Sequence, residues 1–255
     1  MKITVCELPD DREEFPRAWD WLARHVKQES SDLVLLPETP FSGWIFAYPK
    51  FDMKIWREAV GQHDAWMERV HELGATAVLG SRLMGSGERR FNEGFAWSRG
   101  RLTLSHRKRY LPDEPGFYES RWYGRGGKRF STFDVEGWRA GFLICSDLWS
   151  MENARSYGKR GAGLIAVPRC TGLSTDKWLA GGRAAAVVSG AYCASSNRTG
   201  ERGPAKFGGL GWVVDPDGKV LATTSKQEPF VTVEMDEATA EKAKKTYPRD
   251  SLLSD

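Results

Sequence analysis

The chain has 255 residues, 40% of them hydrophobic and 28% charged, with 11 tryptophans, 12 phenylalanines and a net charge of +3. That length and composition allow a sizeable core and exclude bulk disorder. The near-balanced charge excludes a strong nucleic-acid or membrane field, and no apolar stretch of the sequence reaches membrane-spanning length.

Met1-Lys2-Ile3-Thr4-Val5 reads as the start of a strand, without the long apolar centre of a signal peptide. A strand over Ile3–Cys6 precedes helical spacing over Glu14–Gln28, with Phe15, Trp19, Leu22 and Val26 on one side. Leu33–Leu36 is a buried strand stopped by Pro37. A helix is expected over Trp56–Leu73 and a strand over Thr76–Leu79. Gly94–Trp97 and Leu102–Ser105 flank Arg99-Gly100, and Thr132–Val135 and Trp138–Ile144 flank Glu136-Gly137, so each pair reads as a hairpin. Glu152–Lys159 is helical, Leu164–Val167 is a strand stopped by Pro168, Asp176–Ser189 is helical and Ala191–Ala194 is a strand. Gly211–Val214 and Val220–Ala222 pair across Asp217-Gly218. Phe230–Val233 is the last strand and Asp236–Lys245 the last helix.

Short apolar strands alternating with helices predict an α/β fold, and no linker divides the chain, so residues 1–255 read as a single domain. The runs ending in Leu36-Pro37-Glu38 and Val167-Pro168-Arg169 look alike and hint at two related halves. Four cysteines, Cys6, Cys145, Cys170 and Cys193, form no C-x-x-C pair and no metal-ligand spacing. Reduced thiols in the cytoplasm, with no metal and no disulfide framework, are the expectation. Cys6 and Cys193 lie in apolar strand-like runs and read as inert core residues.

In open α/β sheets, ligands bind beyond the carboxyl ends of the strands. The residues delivered there are Glu38, Arg82, Cys145, Arg169 and Asn197. Cys145 ends the apolar run Gly141–Ile144 and opens a polar, helix-starting stretch, where backbone N–H groups favour a thiolate or an oxyanion. A thiol nucleophile needs a base and charge stabilisation. Glu38 is the better candidate base, since a carboxylate in a closed apolar cleft can accept a thiol proton. His106 is the competing partner. Lys108 would hold the carboxylate and favour an oxyanion. Asp147 and Glu152 read as caps of the following helix.

These residues resemble the motifs of the nitrilase superfamily of carbon–nitrogen hydrolases. Leu35-Leu36-Pro37-Glu38 with Phe41-Ser42-Gly43-Trp44 is similar to its glutamate motif. His106-Arg107-Lys108 and the following Arg109-Tyr110-Leu111-Pro112 resemble its lysine motif, and Leu143-Ile144-Cys145-Ser146-Asp147-Leu148-Trp149 its cysteine motif. The likeness extends to Phe91-Asn92, Asn197-Arg198 and Gly208-Gly209. It implies a four-layer α-β-β-α sandwich and a Glu38, Lys108, Cys145 triad without a cofactor. Glu38 would be the base, Cys145 the nucleophile forming a thioester, and Lys108 the oxyanion partner together with the N–H of Ser146. Asp113–Glu119 resembles the segment carrying the family's second glutamate; Glu119 fits that place and Glu114 competes for it.

Cys145-Ser146-Asp147 looks like the amidase and carbamoylase branches, so a small-molecule amide or N-carbamoyl substrate is implied. Nitrile hydrolysis by the same triad and a non-catalytic subunit of the same fold are the alternatives. Leu148 and Trp149 stand where carbamoyl-amino-acid enzymes often place paired arginines. Arg169 is then expected either to enter the cleft and bind an acidic group or to make an outward salt bridge. Trp149 and Trp122 offer apolar faces to a substrate. The resemblance also implies a homo-oligomer, a dimer or higher. Arg121–Arg129 mixes basic, glycine and aromatic residues and offers a weak RNA-binding alternative in a chain otherwise expected to bind neither nucleic acid nor membrane.

Overall fold

The computed structural model describes residues 1–86 and 89–252. β1 (Lys2–Pro9) organises the fold by changing partners along its length. Its first half lies between β2 (Leu33–Leu35), parallel to it, and the antiparallel β13 (Phe230–Glu234). β3 (Ala77–Ser86), β4 (Arg89–Ser98) and β5 (Arg101–Arg107) extend this sheet beyond β2. A second set runs β6 (Thr132–Val135), β7 (Trp138–Phe142), β8 (Leu164–Pro168) and β9 (Tyr192–Arg202). β10 (Ala205–Gly208) folds back on the end of β9, and β11 (Trp212–Val214) joins its start and pairs with β12 (Val220–Thr223). Glu7–Pro9 of β1 pair with Asn197–Thr199 of β9, so the two sets meet at the carboxyl ends of their central strands.

The four layers follow from the two-residue period of the strands. Ile3, Val5, Leu33 and Leu35 face Phe142, Leu164, Ala166 and Ala194 in one cluster between the sheets. The alternate residues Cys6, Val34 and Leu36 face Phe15, Trp19 and Leu22 of α1 (Phe15–Glu29). On the other side, Leu143, Ile165 and Cys193 pack with Tyr157 of α3 (Met151–Lys159) and Ala185 of α4 (Thr175–Ser189). Strands buried on both faces read as continuous apolar runs, as these do. α2 (Met53–Met67) packs Trp56 and Ala59 in a further cluster with Trp44 and Trp122.

The hairpins form at Arg99-Gly100 and Glu136-Gly137, with φ of 48° and 81°, and 46° and 81°. Positive φ at both central residues is the type I′ geometry that suits strand twist. The helix expected over Trp56–Leu73 is two pieces. Asp52 caps α2 by accepting the N–H groups of Lys54 and Ile55, and Val70–Leu73 forms a separate 3-10 turn closed by Gly74 at φ 75°. The turn lets Val70 and Leu73 reach the α1 cluster. Strand residues beyond Leu79 and Ala194 and the whole of β10 carry no plain apolar period; tertiary pairing with neighbouring strands makes them strands. Asp236 is the cap of α5 (Glu237–Ala243), not its first turn.

Candidate active site

The Trp138–Ile144 strand stops early, at Phe142, because the chain bends there toward a thiol. Ile144 is extended, and Cys145 sits at φ 50° at the start of a 3-10 turn over Cys145–Trp149. A non-glycine residue in this region costs about 1–2 kcal/mol, so its surroundings must hold it. Phe142 and Ile144 anchor the bend in the inter-sheet core, and Leu143 and Leu148 anchor it in the α3–α4 layer. Asp147 supplies the polar anchor. Its carboxylate takes His106 Nε2 at 2.8 Å and the N–H groups of Arg109 and Tyr110 at 3.1 and 2.9 Å. It therefore ties the cysteine turn to the segment bearing Lys108 and does not cap α3. Ser150 stands at that N-terminus, its carbonyl accepting the Asn153 N–H at 2.9 Å. His106, the competing partner for the thiol, is engaged with Asp147 and packed on Phe130 with ring centroids 4.4 Å apart.

Lys108 Nζ lies 2.7 Å from Glu38 Oε1, 2.8 Å from Glu119 Oε1 and 2.6 Å from Glu119 Oε2. All three side chains are buried. The Lys108 N–H donates to Asn92 O at 2.9 Å, and its carbonyl accepts from Gly126 at 2.8 Å. Gly126 must lack a Cβ, which would lie 1.9 Å from Arg107 O. Glu119 opens a 3-10 turn over Glu119–Arg121, whereas Glu114 is exposed on the rim. The Glu38 N–H donates to Arg169 O at 3.0 Å, so the two similar strand ends abut.

Arg198 secures the Glu38 loop. Buried, it donates to Glu38 O at 3.1 Å and Ser42 O at 2.9 Å and to Thr39 O, and pairs with Asp10 at 2.5 Å. Among the described residues, Arg198→Met leaves the buried Asp10 with the half-exposed Arg202 as its ion-pair partner, beside the Trp44 N–H at 2.9 Å. It is expected to destabilise the fold by about 3 kcal/mol, read by urea denaturation; an unchanged midpoint contradicts the anchoring role.

One ammonium faces two buried carboxylates. Burial, and the nearby Glu38 charge, push Glu119 up to about 7 against the pull of Lys108. The folded state thus keeps this proton to higher pH than the unfolded chain. The group's contribution to stability falls as pH rises from the ordinary carboxylate range to about 7. Burial pulls Lys108 down, but Cys145, Glu119 and Glu38 outweigh it and hold the ammonium well above its usual range. Burial and the Glu38 charge raise the Cys145 thiol, partly offset by Lys108. The resting thiol is neutral, and its attack on a carbonyl during turnover calls for an adjacent proton acceptor. The thiol itself points at Cys170 O, 3.7 Å away, and the Glu38 carboxylate is close enough for its charge to act on it. Glu38 Oε1 takes both Lys108 and Asn92, the latter at 2.7 Å, while Oε2 is buried with no hydrogen-bond partner among the described residues.

A cavity of about 430 Å³ opens onto this group, lined by Glu119, Cys145, Ser146, Thr171, Trp149 and Trp178 among others. Trp149 is 46% exposed and packs on Trp178 with centroids 4.9 Å apart. Ser146 turns its hydroxyl away, onto Tyr110 O. Arg169 corrects both expectations made for it. It neither enters the cavity nor makes an outward salt bridge. It is buried behind Thr171, donating to Ser195 at 2.7 Å and Thr171 at 2.8 Å, with its guanidinium 3.9 Å from the centre of the Trp212 ring. Burial lowers its pKa to about 9, which still leaves it charged at neutral pH. Asn197 fixes the same loop by accepting from the Thr171 N–H at 3.0 Å. Arg82 stands apart, facing Asp64 at 3.6 Å. Trp122 and Tyr123 are buried, so the aromatic pair on which RNA would stack is inaccessible. Asn92 and Tyr123 are the polar contacts that sequence reasoning left without a role. Asn92 carried a weak signal through its place before the hairpin, and Tyr123 carried none.

Comparison with known proteins agrees with this architecture. The carbon-nitrogen hydrolase family profile matches residues 2–245, and the chain belongs to that family. It is 29% identical over 238 residues to the chloroplastic omega-amidase of Arabidopsis thaliana, covering 86% of this chain and 63% of that protein. It is 29% identical over 147 residues to the N-carbamoylputrescine amidase of the same plant, covering 50% of this chain and 48% of that protein. The chain thus spans less than two thirds of the length of either relative. The crystal structure of a carbon-nitrogen hydrolase from Helicobacter pylori G27 superposes with a TM-score of 0.88 at 20% identity, covering 98% of this chain and 94% of that one. The fold is that of the nitrilase superfamily.

Proposed function

We propose that the chain hydrolyses a linear carbon–nitrogen bond, an amide or an N-carbamoyl group, through a thioester on Cys145. The observation that carries this reading is the buried Lys108 held by Glu38 and Glu119 beside Cys145, with no partner for Glu38 Oε2 among the described residues. Cys145 Sγ attacks the carbonyl carbon as its proton passes to Glu38 Oε2. The oxyanion forms against Lys108 Nζ and the N–H of Ser146. Collapse breaks the C–N bond, and Glu38 returns the proton to the leaving nitrogen, so ammonia or an amine departs. Water then attacks the thioester, giving its proton to Glu38. Collapse releases the acid and restores the thiol. Glu119 orients Lys108 and the substrate amide.

The cavity suits a small molecule. Nearby aromatic faces at Trp149 and Trp178 favour an apolar or aromatic portion. The chain's own residues complete the chemistry without a cofactor. Four buried free cysteines suit a reducing compartment such as the cytoplasm; no helix among the described residues is long and apolar enough to cross a membrane. A homo-oligomer is part of the same proposal, and light scattering tests it.

The deciding experiment is an ammonia-release screen over linear amides, N-carbamoyl amines and nitriles, with mass spectrometry of the quenched enzyme. Turnover of an amide or carbamoyl compound with an acyl adduct on Cys145 is expected. Acid formed from a nitrile with amides untouched overturns the proposal.

A further inference from the structure

The two carboxylates around Lys108 are chemically alike, yet only one can serve as the base. Their hydrogen bonds differ. Glu119 has donors on both oxygens: Lys108 reaches Oε1 and Oε2, and the Tyr123 phenol also donates to Oε2. Glu38 has both its donors, Lys108 and Asn92, on Oε1. Asn92 Nδ2 lies 3.4 Å from the Tyr123 oxygen as well, so Lys108, Glu38, Asn92, Tyr123 and Glu119 close a ring. Tyr123 is 3% exposed, packs edge-on against Phe46 with centroids 5.1 Å apart, and does not line the cavity.

We propose that Tyr123 is a positioning residue that favours the charged form of Glu119 and thereby assigns the base role to Glu38. The inference rests on the hydrolase reading above and deepens it. A donor bonded to a buried carboxylate favours its charged form. With Glu119 held by three donor contacts, a proton leaving the thiol goes to Glu38 Oε2, the one oxygen of the two carboxylates without a donor among the described residues. Without the phenol, Glu119 competes for that proton. A protonated Glu119 releases Lys108 to Glu38 alone, and Glu38 becomes the weaker acceptor. The other charged groups facing this pair are Lys108 and the ionisable Cys145. Burial and the Glu119 charge raise Tyr123 well above its usual range, which keeps the phenol a donor throughout.

The test is Tyr123→Phe, followed in two ways. The acid limb of kcat/KM against pH, on the best substrate of the screen, reports the carboxylate pair as a unit. It is expected to move up by about one to two pH units, the effect of losing one hydrogen bond to a buried charge. kcat falls mainly on the acid side, KM changes little, and the two enzymes converge at high pH. The second readout needs no turnover: the infrared C=O band of a neutral carboxylic acid, titrated by difference spectroscopy, moves its midpoint up by the same amount. If Tyr123→Phe does not fold, 3-fluorotyrosine at position 123, a stronger donor, is expected to move both midpoints down. A parallel loss of rate at every pH, or stationary midpoints in the folded variant, overturns the inference while the hydrolase reading stands. A moved infrared midpoint in a protein that hydrolyses nothing sinks the hydrolase reading instead.

Discussion

Cys145→Ala is expected to lower amide hydrolysis by about 10⁵-fold or more, and Glu38→Gln by about 10³-fold, with both proteins folded. The alanine variant removes the attacking atom. Its fold survives because the φ of 50° at this residue is held by neighbours on either side of it, not by the thiol. The glutamine variant keeps the thiol and removes the proton acceptor. The two changes separate in a second assay, alkylation of Cys145 by iodoacetamide. Cys145→Ala loses the label altogether. Glu38→Gln keeps it, because the Glu38 charge is one of the forces holding the thiol proton on, and Lys108 still favours the thiolate. Hydrolysis lost while alkylation persists is the signature of a base needed at several steps of turnover. Hydrolysis unchanged in Glu38→Gln rules Glu38 out as the base.

Lys108→Met is the second large effect. It takes away the positive contact for the oxyanion, expected to cost about 10²- to 10³-fold in kcat. It also leaves Glu38 and Glu119 buried together with no cation between them. One of them then binds a proton at neutral pH, and the fold loses about 3–5 kcal/mol, the usual effect of breaking a buried pair. Lys108→Arg is not expected to rescue the rate. Lysine presents a compact ammonium that meets three carboxylate oxygens at 2.6 to 2.8 Å, and a planar guanidinium cannot occupy that point. Denaturation at pH 5 and pH 8 checks the mechanism of the stability loss: it is larger at pH 8, where both carboxylates would otherwise be charged. Equal losses at both values count against the paired-charge account.

The helix–strand alternation was legible because burial imposes it on local sequence. Phe15, Trp19, Leu22 and Val26 fall on one face of α1, and all four are buried. The strands that run up to Pro37 and Pro168 were readable for the same reason. Segments whose strand state depends on a distant partner were not. β10 and the ends of β3 and β9 alternate too little to announce themselves, and only ladder pairing makes them strands. Among the site residues, motif order singled out Glu38, Lys108, Glu119 and Cys145, and the fold brings Glu38 and Glu119 each within 2.8 Å of Lys108. Arg169 was misread because a charged residue at a strand end looks the same in sequence whether it enters a cleft or lies behind a loop.

By itself the sequence determined which segments bury apolar faces and the family to which the chain belongs. It also supplied the reactive side chains, since chemistry needs particular residue types and burial needs a period. The tertiary structure alone decided which donors reach each carboxylate oxygen, that Asp147 ties two loops and caps nothing, and that Arg169 faces Trp212. Those outcomes depend on ångström-scale contacts between residues tens of positions apart, and no local pattern encodes them.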